Sequence, residues 1–196
     1  MKTEEKKRVV FLRGKKVILR PLCKETDLEK CVSWLNDPEV SKFLKVFGPI
    51  TKQAEMEWFD SLSKKENDVI LAIETTDGEY IGNIGLHRIN WTDRTATTGA
   101  FIGIKEYWGK GYGTDAKMIL LSYAFNTLNL RKITSSVIAF NKRSLHYSLH
   151  CGYKIEGRKR KQMFCNGKYW DEIILGLFKE EWLPIWKKYK KAGKIR

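Results

Sequence analysis

The 196-residue chain has no run of about eighteen apolar residues, so nothing in it reads as a transmembrane helix. Its opening residues, MKTEEKKRVVFLRGKK, contain no apolar stretch of the kind that starts a secretory signal, and a cytoplasmic protein with no membrane partner is expected. Cysteine and histidine are scarce. Cys23, Cys31, Cys151 and Cys165 form no CxxC or metal spacing, and His87, His146 and His150 form no zinc pattern. His146 and His150 lie one helical turn apart, but without a nearby Glu or Cys ligand they read as a solvated face. No metal is therefore expected. There is no internal repeat and no Pro/Gly-rich linker, so residues 1–196 read as a single domain. A G-x-x-x-x-G-K-[ST] run is also missing, which excludes a P-loop nucleotide site.

What is present is a foldable globular composition, 42% hydrophobic and 31% charged, with a formal net charge of +14. Two segments concentrate that charge. Residues 187–196 form a basic tail with six Lys/Arg and no acid, and residues 154–168 hold six basic side chains against Glu156. Such a field attracts polyanions, whether RNA, nucleotides or an anionic cofactor. A lysine-rich surface serving only solubility is the alternative.

Periodicity divides the chain into alternating elements. Arg8–Leu12 and Lys16–Arg20 read as strands around an Arg13-Gly14 turn. Thr26-Asp27-Leu28-Glu29 reads as a capping box opening a helix through Leu35. Asp37-Pro38 restarts a helix to about Leu44, and Thr51 caps a third. Strands follow at Val69–Glu74, Tyr80–Trp91 and residues 96–104, then a helix at Ala116–Thr127 and a strand at Lys132–Phe140. Asn141 caps a helix ending near Cys151. Tyr153–Phe164 and Lys168–Phe178 form a hairpin across Asn166-Gly167, a pair suited to a type I′ turn. Glu180–Lys190 is a final amphipathic helix. The order β-β-α-α-α-β-β-β-α-β-α-β-β-α predicts an α/β domain with a mixed sheet and helices on both faces.

The most informative segment is Trp108-Gly109-Lys110-Gly111-Tyr112-Gly113, between a strand and a helix. Glycines let backbone N–H groups approach a ligand, and the following helix aims its positive end at the same place. This suits a phosphate or pyrophosphate. The relaxed dinucleotide fingerprint is met by Gly111-Tyr112-Gly113-Thr114-Asp115-Ala116, yet the next strand, Thr134–Asn141, carries no acid for a ribose hydroxyl. An ordinary strand-to-helix turn is the alternative reading, although one or two glycines would do for that.

With Asn141 ending the next strand, Ser144 three positions on and Gly152-Tyr153 beyond it, the pattern resembles the GNAT superfamily of acetyl-CoA-dependent N-acetyltransferases. That family's loop reads [QR]-x-x-G-x-[GA] and its second motif N-x-x-[AS] with a closing G-[FY]. Trp108 stands in place of the usual Gln or Arg, a swap frequent in the RimJ/RimL-type branch. Arg13-Gly14 with Val17–Leu22, Trp34–Val40, Asp171–Leu177 and Glu181-Trp182 resemble the same branch, so the likeness spans roughly residues 10–182. It implies a single-domain, largely antiparallel sheet whose two central parallel strands splay apart around acetyl-CoA. By that resemblance Ile102, Gly103 and Ile104 contact pantetheine, Trp108, Gly109, Lys110, Gly111, Tyr112, Gly113 and Thr114 cradle the pyrophosphate, and Asn141 bonds the pantetheine arm. Asn141 as a plain helix cap is the rival. Lys110 and Lys142 are candidates for extra charge near the phosphates.

Amine acetylation needs a donor for the departing thiolate and a route for the amine proton. The general-acid tyrosine common in the family falls at Ser148 here, and Tyr147 is displaced by one residue, about 100° of helix rotation. By the resemblance Ser144 is the expected acid, and a helix-turn serine with no chemical role is its rival. The base is unassigned: Thr98 and Gln162-Met163 occupy positions where relatives carry Glu, leaving His87, Asp93 and Glu106 as fallbacks. The acceptor pocket is expected at Trp34, Asn36 and Asp37 and along Tyr169, Trp170 and Asp171. The resemblance implies transfer to a primary amine. A peptide or ribosomal-protein N-terminus comes first, because a missing base suits an α-amine of pKa about 7.7–8.0 better than a lysine. A nucleotide-linked amino sugar or other small amine such as an aminoglycoside is second, and a polyamine last, since a basic protein repels it. A CoA- or RNA-binding protein without catalysis is the rival from another class. A monomer or homodimer, near RNA or the ribosome through its basic surface, is expected.

Overall fold

The computed structural model describes residues 9–44, 46 and 48–191. Strands β1 (Leu12–Arg13), β2 (Val17–Pro21), β3 (Val69–Thr75), β4 (Tyr80–Asn90), β5 (Thr95–Ile102), β6 (Lys132–Ile138), β7 (Lys154–Cys165) and β8 (Lys168–Phe178) form one sheet in the order β1-β2-β3-β4-β5-β6-β8-β7. Every neighbouring pair is antiparallel except β5–β6. Helices α1 (Lys24–Asn36), α2 (Pro38–Ser41) and α3 (Lys52–Ser61) accompany the first half. Helices α4 (Tyr112–Ser122, followed by a wider π-type turn to Thr127), α5 (Lys142–His150) and α6 (Lys179–Lys191) accompany the second. The element order is the one the periodicity predicts.

Two cores lie on opposite faces of the sheet. Leu28, Cys31, Trp34 and Phe59 of α1 and α3 pack on Ala72, Tyr80 and Phe101. On the other face Ala116–Leu121 of α4, with Phe125 and Trp182, pack on Ile73, Ile84, Leu86, Ile133 and Leu175. Helix α4 is buried on all sides from Ala116 to Leu121, and apolar there except for Lys117, because the sheet covers one side and α5 and α6 the other. No helix among the described residues is long and apolar enough to cross a membrane.

Local differences from the sequence reading have physical causes. Helix α1 starts at Lys24, not at the Thr26 capping box; Cys23 is its N-cap and contributes no side-chain bond. Asp27 takes over the capping by accepting from the Cys23 N–H (2.8 Å), and it also holds Arg20 through its two terminal guanidinium nitrogens, 2.7 and 2.8 Å. The first strand pairs only at Leu12 and Arg13, and Arg8 lies outside the described residues. The strand expected over 96–104 ends at Ile102, where Gly103 donates to Ile81 and a 3-10 turn begins at Lys105. Helix α4 starts four residues earlier than expected, at Tyr112, because Gly111 (φ +85°) takes the left-handed N-cap position. The basic tail is helical through Lys191, and residues 192–196 lie outside the described chain. The β7–β8 turn places Asn166 and Gly167 at φ +51° and +72°, as a type I′ turn requires.

Candidate active site

The parallel seam is where the sheet opens. Strands β5 and β6 pair at Thr95/Lys132, Ala96/Ile133 and Thr97/Thr134, and there the ladder stops. Beyond it β5 stays bonded to β4 as far as Ile102/Gly82, and β6 to β8 as far as Ile138/Glu172, so only the seam divides. A cavity of about 660 Å³ lies in the fork. Residues 98–102 form one wall, residues 135–138 the other, and the glycine segment and α5 its mouth.

Hydroxyl side chains cap the crotch. Thr97 and Thr134 share a 2.9 Å bond, Ser135 donates to the Thr98 carbonyl (3.2 Å), and Thr98 Oγ1 meets the Tyr153 hydroxyl at 2.8 Å. These groups satisfy polar atoms that the ended ladder leaves behind. Sequence reading missed them, although Thr-Ser-Ser inside a buried β-branched strand was the available signal.

At the mouth, Gly109 and Gly111 adopt φ +72° and +85°, conformations that side chains resist. Tyr112, Gly113 and Thr114 open α4, so their N–H groups have no acceptor within the helix. Trp108 is held by an Nε1–H bond to the Ile102 carbonyl (2.7 Å) and by an edge contact with Phe43. The Arg143 guanidinium lies 3.8 Å from the Trp108 ring centroid and also lines the cavity. It is a cation at the loop that the sequence reading passed over in favour of Lys110 and Lys142. The Lys110 carbonyl accepts from Lys16 Nζ (2.7 Å), and both Lys110 and Lys142 lie outside the cavity wall.

Ile102, Trp108, Gly109, Gly111, Gly113, Thr114, Asn141 and Ser144 are gathered around this one cavity; Gly103, Ile104, Lys110 and Tyr112 are not in its wall. The Gly103 N–H is spent on Ile81, and the Trp34 ring packs where a Cβ at Gly103 would be. Asn141 caps α5 by accepting from the Ser144 N–H at 3.0 Å. Ser144 and Tyr147 both face the cavity, whereas Ser148 is buried outside its wall. Burial pushes the Tyr147 hydroxyl well above the usual phenol range. Beneath it lies Lys117, fully buried, with no hydrogen-bond partner for its Nζ among the described residues. Its ammonium is 5.5 and 5.6 Å from the Tyr147 and Tyr153 ring centroids, and burial lowers its pKa to about 8.

The expected acceptor residues are occupied within the fold. Trp34 is 8% exposed among Tyr80 and Phe101. Asn36 clamps the Ile50 backbone in both directions (2.8 and 2.9 Å). Asp37 caps α2 and pairs with Lys105 (3.0 Å), whose hydrogen bond holds its carboxyl below the usual range. Asp171 accepts from the Lys161 N–H and from Arg158, and both bonds lower its pKa. Tyr169, at the hairpin tip, is exposed beside Phe164, while Trp170 donates to the Cys165 carbonyl. Among the described residues no cluster of three or more His, Cys, Asp or Glu is arranged to hold a metal ion.

A mixed sheet forked at its parallel strands, with a glycine loop and a helix N-terminus at the fork's mouth, defines an acyltransferase-type architecture. Residues 16–154 match the family model described as "Acetyltransferase (GNAT) domain", and the chain belongs to that family. It is 34% identical over 106 residues to "Putative ribosomal N-acetyltransferase YdaF" of Bacillus subtilis (strain 168), covering 54% of this chain and 57% of that one. It is 34% identical over 107 residues to the spermidine N(1)-acetyltransferase of Escherichia coli (strain K12), covering 55% and 57%. Each of these two matches therefore spans little more than half of the relative's length. The fold is shared with the crystal structure of spermidine N-acetyltransferase from Vibrio cholerae in complex with CoA and spermine. The TM-score is 0.79 at 24% identity, with 85% of this chain and 98% of that one covered.

Proposed function

We propose that the protein is an acetyl-CoA-dependent N-acetyltransferase that acetylates the α-amine of a peptide N-terminus, with a ribosomal protein as the expected source, by direct attack in a ternary complex. The observation that carries this reading is the fork: two strand edges that stop pairing with each other after Thr97/Thr134, with the first-turn N–H groups of α4 at its mouth. Acetyl-CoA supplies the activated acyl group and a thiol leaving group. The inner edge of β5 would bond its amide-bearing arm, and the loop from Trp108 to Thr114, with Arg143 beside it, would hold its phosphates. Asn141 caps α5 and thereby fixes Ser144 at the cavity wall.

Ser144 is assigned the proton donor's role toward the leaving thiolate. Ser144→Ala should lower kcat at least tenfold while leaving the KM for acetyl-CoA within about threefold. Thiol release measured with saturating acetyl-CoA and N-terminal peptides checks this; unchanged turnover removes Ser144 from the chemistry. The Tyr147 hydroxyl in the same wall is the natural second variant.

A peptide acceptor is favoured over a polyamine by charge. A net charge of +14 repels polycations, whereas ribosomal surroundings are anionic. The spermidine enzymes among the relatives make polyamine the control substrate. Proximity to RNA is supported by the β7–β8 hairpin, with Arg160, Lys161 and Lys168 around the exposed Phe164–Tyr169 pair.

A further inference from the structure

A second cavity, of about 520 Å³, is lined by residues of β3, β4 and β5 together with Leu35 of α1 and Glu55 and Trp58 of α3. It shares Leu44, Gly99, Ala100 and Phe101 with the fork cavity, so the two spaces adjoin along this stretch of β5. Leu35, Trp58, Ile70 and Phe101 make its walls apolar, and two ionisable side chains, Glu55 and His87, reach into it.

Both are placed in ways that packing alone does not ask for. Glu55 is on the buried face of α3, only 7% exposed, and its carboxylate has no hydrogen bond or ion pair among the described residues. Burial raises its pKa. Carboxylates are seldom buried without a partner, so a site for a cation is the economical reading. His87 lies across a cross-strand glycine pair, Gly85 opposite Gly99. A Cβ on either would come within 3.0 and 3.4 Å of its Nε2, so the two glycines make the room the imidazole occupies. Its Nδ1 is 3.5 Å from Asp68 Oδ2, and the other Asp68 oxygen accepts from the Arg88 N–H at 2.8 Å. The β4–β5 register shifts just after His87, and Arg88 takes φ +52°, a local distortion that sets this arrangement. Asp68 thus lies on the Nδ1 side of the ring, and Nε2 is the nitrogen for which the glycine pair leaves room.

We propose that this second cavity is the acceptor seat for a primary amine carried on an apolar body. Glu55 attracts the ammonium, and His87, braced by Asp68, removes its proton. The inference rests on the acetyltransferase reading and adds to it an acceptor class and a base. The ammonium gives one proton to His87 Nε2, which returns it to solvent. The neutral nitrogen forms a C–N bond to the acetyl carbon as the C–S bond breaks. The second N–H proton ends on the thiolate, so that amide and free thiol are the products. A chamber with one carboxylate suits a monoamine such as an N-terminal residue with an apolar side chain, and not a polyamine.

The test uses the full chain with acetyl-CoA and three amines: L-phenylalanine amide, glucosamine and spermidine. Phenylalanine amide is expected to be turned over with a KM at least tenfold below that of spermidine. His87→Gln should lower kcat about 100-fold with the KM for acetyl-CoA held. Glu55→Gln should raise the KM for phenylalanine amide about tenfold with kcat nearly unchanged. An unfolding midpoint of Glu55→Gln at or above the parent's shows that the variant folds. Calorimetric titration of phenylalanine amide into the enzyme saturated with CoA gives a readout independent of turnover. Binding that Glu55→Gln weakens, without turnover of any amine, supports the seat and removes the acetyltransferase reading instead. Turnover unaffected by either substitution, a preference for spermidine, or neither binding nor turnover of phenylalanine amide overturns the seat.

Discussion

Replacing Asp115 by alanine is expected to lower the unfolding free energy by about 3–5 kcal/mol, a large part of what a domain of this size has. Asp115 is fully buried in the first turn of α4. It accepts from the backbone N–H groups of Lys15 (3.2 Å), Lys16 (2.7 Å) and Val17 (3.0 Å) and from the Tyr189 hydroxyl (2.6 Å). The positive end of α4 adds to its stabilisation. A shorter side chain leaves three amides and a phenol without an acceptor, each a desolvated donor costing about 1–3 kcal/mol. Gly14 has no space for a side chain because this carboxylate fills it. Burial and the neighbouring carboxylate both push the Tyr189 hydroxyl up, so the tyrosine keeps the proton that it donates to Asp115. Urea unfolding followed by tryptophan fluorescence measures the loss; a shift under 1 kcal/mol would contradict the clamp. Asp115→Asn, which keeps one carbonyl acceptor, should recover part of it.

Lys117→Met is expected to act in the other direction, stabilising the protein by up to about 3 kcal/mol at pH 7. Lys117 is fully buried without a hydrogen-bond acceptor among the described residues, and its pKa falls from 10.5 to about 8 because burial disfavours the charged form. Below pH 8 the lysine is protonated in both the folded and the unfolded protein, so folding bears the whole burial cost. Between pH 8 and 10.5 the unfolded chain still holds the proton that the folded one has released, and folding becomes easier as pH rises. The variant's advantage should therefore be largest at pH 7 and shrink toward zero by about pH 10.5. Comparing the two proteins at each pH cancels the opposing titration of the tyrosines, whose raised values act against folding in alkali. A variant less stable than the parent at pH 7 would mean that the ammonium has an acceptor, and the argument would fail.

Much of this architecture is legible in residue order because it rests on local rules. Asn166-Gly167 dictates its turn, Asn141 its cap, and the run Lys168–Phe178 its strand, which the structure reproduces with the same limits. Gly111 announces close backbone approach, and its place as the cap of α4 follows from the left-handed conformation it alone accepts there without strain. What the sequence conceals is long-range. Asp115 sits in an apolar helical stretch as a single acid, and nothing local says that it meets residues about a hundred positions away. Trp34 is named for the acceptor pocket, and nothing local says that its ring packs against Gly103 and Tyr80. The pairing of His87 with Asp68, and the glycine pair beneath it, belong to strand register, which periodicity does not report.

The divided seam has a consequence for solubility. An open sheet has two outer borders, here β1 and β7, where another chain could add a strand. Parting β5 from β6 gives this sheet two further borders, internal ones that face each other across the fork cavity and not the outer rim. A cavity of about 660 Å³ has room for a small molecule with amide groups along its length and not for a folded neighbour. The hydrogen-bonding capacity that would be an aggregation hazard at the rim is, at the centre, kept for small guests.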